Sequence, residues 1–290
     1  MNTPALTYVY AVTQPTGDLA AALPALHGIG RAALRLLASA APAGTSADGS
    51  GQLAFVAADV PERDFNETAL KRHFEDLEWL EYVARAHHDV VQAVAAHAAV
   101  LPLRMATVYQ DDHRARRALT AQHEAFARRL DQLRAQTEYG VKIYTKPATA
   151  TATGRPPADE PAEDISPGKA YLRARKAQHH TREAVYEQAQ HAARTIEAIA
   201  ARHTTQRVRH APQRGALTAG QENLLNDAYL VPDDQAEEFR AAITDAARQF
   251  PGLHIEVTGP WAPYSFATPP PEPAAAQSSP DGPPSGTQPP

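Results

Sequence analysis

The chain has 290 residues, with 28 Lys plus Arg against 33 Asp plus Glu, a formal charge of −5 and no cysteine. The lack of cysteine excludes disulfides, thiolate metal sites and cysteine nucleophiles, and the acidic balance argues against a general nucleic-acid binder. No run of about 18 apolar residues occurs, and residues 1–10 lack a basic start followed by an apolar core, so a soluble cytoplasmic protein without membrane span or secretory signal is expected.

Residues 6–12 are β-branched and aromatic and run into Gln14-Pro15-Thr16-Gly17, a strand followed by a turn. Asp18 is expected to cap a short helix that Pro24 cuts off near residue 26. Strands are predicted at 33–38 and 53–60, the second stopped by Pro61, with residues 40–51 as a flexible loop between them. Asp64, with Glu67 three residues on, reads as a capping box that opens one long helix. Its apolar stripe is Leu70, Phe74, Leu77, Leu80 and Val83, resumed at Val90, Val91 and Val94. Residues 101–109 are the fourth strand, which completes a β-α-β-β-α-β order.

Residues 111–135 read as a helix with Leu119, Phe126, Leu130 and Leu133 near heptad spacing. The earlier order then repeats. A strand at 139–145 precedes a proline-rich linker at 146–167, a long helix at 168–203 and a weaker strand at 205–211. A strong strand at 224–231, a helix opened by Asp233 and ending at 250, and a last strand at 253–258 follow. The long helix has its own seam, Val185, Ala189, Ala192, Ile196 and Ile199, expected to bury itself against the connecting helix as an antiparallel hairpin. The expected architecture is α+β. Two ferredoxin-like domains, at 1–110 and 138–267, are joined by a helical, coiled-coil arm at 111–137, with a disordered Pro-rich tail at 268–290.

Residues 168–214 carry ten basic and three acidic side chains, and residues 215–267 two basic and eight acidic. Either an acidic partner lies along the basic helix, or the two sets face each other. None of the thirteen histidines has a second at i+3 or i+4, so no helical metal pair exists. Gly28-Ile29-Gly30 is not completed to a phosphate loop, and neither Gly-Lys-Ser/Thr nor Gly-x-Ser-x-Gly occurs, which leaves no cofactor cradle and no catalytic constellation. His87, four residues beyond Val83, reads as a packed histidine, and Arg104 as half of an internal ion pair. Tyr8 and Tyr10 share one face of the first strand, so an RNA-binding sheet is the alternative function. The most unusual segment is Thr258-Gly259-Pro260-Trp261-Ala262-Pro263-Tyr264-Ser265-Phe266. Three aromatics beside two prolines form either a flap packed back on the domain or an exposed docking site.

That segment also carries a resemblance, together with Leu225-Asn226-Asp227-Ala228-Tyr229-Leu230-Val231-Pro232, Glu138-Tyr139-Gly140-Val141-Lys142-Ile143-Tyr144, and the stretch from Trp79-Leu80 through Ala86-His87 to Val100-Leu101-Pro102-Leu103-Arg104-Met105-Ala106-Thr107-Val108-Tyr109. In order and spacing these strings resemble the gas vesicle accessory proteins of the GvpL/GvpF family over residues 6–266. Met105, Ala106 and Ala262 depart from the family's usual Phe, Gly and Pro. The resemblance implies a non-enzymatic cytoplasmic protein that contacts the small hydrophobic shell subunit (GvpA-type) and other accessory proteins during nucleation and early assembly of gas vesicles. Partner contact is expected at Pro260, Trp261, Pro263, Tyr264 and Phe266, because aromatic anchors dominate interface energies. No cofactor, metal, nucleic acid, membrane or small-molecule substrate is expected.

Overall fold

The computed structural model describes residues 4–39, 51–146, 167–213 and 221–268. The expected loop at 40–51, linker at 146–167 and tail at 268–290 lie, but for their end residues, outside the described residues. The fold is mixed α/β, with two antiparallel sheets and helices packed on them.

The first sheet is built from β1 (Ala5–Thr13), β2 (Arg35–Ala38), β3 (Ala54–Pro61), β4 (Val100–Pro102) and β5 (Val108–Tyr109), in the order β2-β3-β1-β4 with β5 also on β1. The single strand expected at 101–109 is therefore two short ones, separated by a loop in which Ala106 sits at φ +63°. That left-handed conformation suits glycine, the residue usual in the resembling family, and the Ala106 N–H donates to the Tyr8 hydroxyl at 3.0 Å. A register shift between Val9 and Ala11 changes the alternation of β1. Tyr8, Tyr10 and Ala11 join one apolar cluster, and Val9 and Val12 another. In β3, Val56, Ala58 and Val60 share the first cluster, and Phe55 and Ala57, with Leu53 just before the strand, the second. A strand covered on both faces has no reason to alternate polar residues, which explains its continuous apolar run.

Helix α1 (Gly17–Ala22) is capped by Thr16, whose side chain accepts from Leu19 N, and not by Asp18. The long helix expected after Asp64 is broken into α2 (Glu62–Phe65), α3 (Glu67–His73) and α4 (Leu77–Ala95). Asn66 and Asp76 supply the caps of α3 and α4, so the Asp64/Glu67 capping box is not formed. Val83, His87, Val90, Val91 and Val94 of α4 cover one face of the first sheet.

The expected connecting helix is α5 (Asp112–Ala121) and α6 (His123–Leu133), interrupted at Gln122. The coiled-coil hairpin with the long helix is not what this seam forms. Ala115, Leu119, Leu130 and Leu133 pack on the second face of the first sheet, in a cluster that also takes in Ala228 and Leu230 of the second. A heptad-like stripe and a sheet-facing stripe have nearly the same period, and the larger apolar area of the sheet wins.

The second sheet comprises β6 (Gln136–Thr145), β7 (Gln206–Arg209), β8 (Asn223–Pro232) and β9 (Leu253–Trp261), in the order β7-β8-β6-β9. Helices α7 (Pro167–His203) and α8 (Ala236–Ala247) cover its other face. Ala189, Ala192, Ile196 and Ile199 of α7 meet Phe239 and Ile243 of α8 over Tyr139, Val141 and Ile143 of β6. At about 1.5 Å per residue α7 reaches roughly 55 Å, and Leu172 near its start is 64% exposed. The two charge sets of this half do meet in places. Arg207 and Arg209 reach the buried Asp227 at 2.8 and 3.0 Å, and Arg182 lies 3.7 Å from Glu222.

Candidate partner-binding site

β9 continues past the expected end at 258 to Trp261, which pairs with Glu138 across a register shift in β6. The shift centres on Gly259, at φ +121°, where a Cβ would lie 2.8 Å from the Glu138 carbonyl oxygen. Glycine is needed there both for its conformation and for the close approach. Beyond Trp261 the chain turns through Ala262 and Pro263 into a single 3-10 turn, Tyr264–Phe266.

The segment from Pro260 to Phe266 is anchored by four side chains distant in sequence. Gln92 of α4 accepts from the Ala262 N–H and donates to the Pro260 carbonyl. Glu138 of β6 accepts from both the Ser265 N–H, at 2.8 Å, and the Ser265 hydroxyl, at 2.6 Å. Arg129 of α6 donates from Nε to the Phe266 carbonyl at 2.6 Å, and His210 Nε2, just past β7, lies 2.9 Å from Ser265 Oγ. Burial raises the Glu138 carboxyl above the usual range, and the two Ser265 bonds oppose that rise. Burial likewise lowers the pKa of Arg129. Both buried side chains thus hydrogen-bond to one short turn, and Arg129 reaches the Gln132 and Gln206 side chains as well.

The five residues expected to contact partners are placed differently from one another. Phe266 is fully buried, in the cluster with Val9, Phe55, Leu101 and Leu130. Pro263 is buried as well, and Tyr264 is half-buried, its ring stacked 5.7 Å from His88. Phe266 therefore corrects the expectation of a continuous aromatic surface: its ring is core and holds the segment down. Trp261, 39% exposed and 5.5 Å from His88, and Pro260 remain at the surface. They border a cleft of about 390 Å³ between the end of α4 and the α6–β6 junction.

His87 is 3% exposed, with Nδ1 2.9 Å from the Tyr8 hydroxyl. Burial lowers its pKa to about 4. Arg104 forms none of the ion pairs found among the described residues and is exposed in the loop between β4 and β5, so the expected internal pair is absent there. Tyr8 and Tyr10 are both fully buried beneath α4, where no base can stack on them, which removes the basis of the RNA alternative. Among the described residues no three His, Asp or Glu side chains gather as a metal site. Glu138, Arg129, Gln92 and Ser265 were not singled out from the sequence, since each acts over more than 120 residues. The one local signal is an acid, Glu138, placed just before the apolar Tyr139, Val141 and Ile143 of β6.

Two sheets tied together by an aromatic turn after β9 define a mixed α/β protein with an exposed tryptophan beside a cleft. A family model described as gas vesicle synthesis protein GvpL/GvpF matches residues 6–268. Gas vesicle protein L of Streptomyces sp. (strain CB03234) is 38% identical over 269 residues, 92% of this chain and 94% of that protein. Gas vesicle protein F of the same strain is 30% identical over 224 residues, 74% of this chain and 84% of that protein. The crystal structure of GvpF from Anabaena sp. PCC7120 superposes with a TM-score of 0.58 at 15% identity, covering 91% of this chain and 96% of that one. GvpF from Microcystis aeruginosa gives 0.55 at 17%, with 91% and 99% covered, so the fold is shared. The chain belongs to the GvpL/GvpF family of gas vesicle proteins.

Proposed function

We propose that this protein serves gas vesicle assembly in the cytoplasm by holding the small hydrophobic shell subunit and other accessory proteins during nucleation and early growth, acting by contact and not by turnover. The observation that carries the reading is Trp261, a large ring kept 39% exposed by a turn whose neighbours are buried and hydrogen-bonded. A rigid, exposed aromatic beside a cleft costs little entropy to engage and is the usual form of an interface anchor. No helix among the described residues is long and apolar enough to cross a membrane, in keeping with this reading. The same reading takes 1–110 and 138–267 as two ferredoxin-like units. The order β2-β3-β1-β4, repeated as β7-β8-β6-β9, supports it.

Trp261→Ala is the variant to test. It should weaken co-purification of the shell subunit encoded in the same gene cluster at least about tenfold, the effect of losing one aromatic anchor, with circular dichroism unchanged. Undiminished co-purification would refute the role of this rim. Phe266 is unsuitable for the purpose, because its loss would open the core.

A further inference from the structure

A second concavity lies on the opposite side of the aromatic turn. It is a trough of about 630 Å³ between α4, the loop joining β4 to β5, and α6, within the roughly 300–1,000 Å³ of ordinary ligand sites. Leu103, Met105 and Phe126 give it an apolar lining, and Met105 adds a side chain able to re-pack around different shapes.

Two polar groups of this trough lack what they need. The Tyr8 hydroxyl accepts from the Ala106 N–H and lies 2.9 Å from His87 Nδ1. His87 Nε2 is buried without a hydrogen-bond partner. The Leu103 carbonyl is near enough to favour a charged ring but does not complete a bond to Nε2. An unpaired ring nitrogen of this kind is costly in a finished core. At the rim, Arg104 has none of the ion pairs found among the described residues, although its backbone is held by the Thr107 hydroxyl at 2.6 Å. The guanidinium at the rim calls for an oxygen acceptor, set among apolar walls.

We infer that this trough is a docking site for a segment of a partner protein in which a carboxylate is flanked by apolar side chains. The apolar flanks fill the space between Met105 and Phe126, and the carboxylate meets Arg104. Thr268, the last described residue, also lines the trough. The chain's own residues 269–290 contain Glu272 and Asp281 but no large apolar side chain, so they fit it less well. The inference rests on the assembly reading only for the source of the partner.

Overlapping peptides covering the shell subunit and the accessory proteins of the same gene cluster, immobilised and probed with the labelled full chain, test it. The expected result is capture of peptides with Asp or Glu among apolar residues, reduced at least tenfold by Glu→Gln or Asp→Asn in the peptide and by Arg104→Gln in the protein. Arg104 is exposed, so Arg104→Gln leaves the fold intact. Absence of such capture, or capture indifferent to Arg104→Gln, overturns the inference. Capture that appears only after removal of 269–290 overturns it too, and assigns the trough to the chain's own tail. Intact shell subunit that co-purifies through Trp261 while no peptide is captured leaves the assembly reading standing and removes the trough. Peptide capture without shell-subunit co-purification does the reverse.

Discussion

Replacing His87 by leucine isolates the pH dependence of the core beneath α4. The ring is 3% exposed and faces Tyr8, Tyr10, His88 and Tyr264, and burial holds its pKa at about 4 against an ordinary 6.5. As pH falls below 6.5 the unfolded chain takes up a proton that the folded chain refuses until about 4. Stability associated with the neutral ring is therefore complete above 6.5 and is lost as pH drops toward 4. Linkage between those two values removes about 2 kcal/mol between about pH 7.5 and about pH 5, rising to about 3 kcal/mol at lower pH. Urea denaturation of the wild type and His87→Leu at both pH values measures the effect, and titrations common to both proteins cancel in the difference. The variant starts less stable by roughly 1–3 kcal/mol, because the Tyr8 hydroxyl loses its hydrogen-bond partner on His87, and Tyr8→Phe in both backgrounds removes that offset. The stability gap between the two proteins should narrow by about 2 kcal/mol on acidification. A gap that stays constant refutes the reasoning.

Two further substitutions probe the aromatic turn. Phe266→Ala empties a fully buried ring site and should cost about 3–5 kcal/mol, read as an earlier urea midpoint at unchanged slope. A loss below about 1 kcal/mol would mean that the turn is not part of the core. Gly259→Ala forces a Cβ to within 2.8 Å of the Glu138 carbonyl oxygen at φ +121° and should cost about 1–3 kcal/mol. A melting temperature equal to that of the wild type would show that the β6–β9 junction relaxes freely.

The strands were legible because their signals are local. The apolar run of β3 ends at a proline, and the Leu225–Val231 stretch of β8 does likewise at Pro232. Helix breaks were harder to see. Asp64 with Glu67 has the spacing of a capping box, but Asn66 and Asp76 hold the caps, and only the geometry of the following turns separates these candidates. Leu119, Leu130 and Leu133 announce an apolar stripe without saying whether a helix or a sheet will cover it. The candidate site was half legible. Composition singled out 258–266, yet Trp261 and Phe266 are chemically similar and end on opposite sides of the surface. Their fates depend on a turn fixed by Gln92, Arg129 and Glu138, all distant in sequence.

The burial of Phe266 beside side chains from the opening strand imposes an order on biosynthesis. The residue that seals this cluster leaves the ribosome some 250 positions after Val9 and Val12, at the 5–20 residues per second of translation roughly 13–50 seconds later. During that interval the nascent polypeptide lacks the ring that finally seals its oldest strand. A chaperone or an assembly partner acting in that window meets a surface that the finished molecule no longer displays.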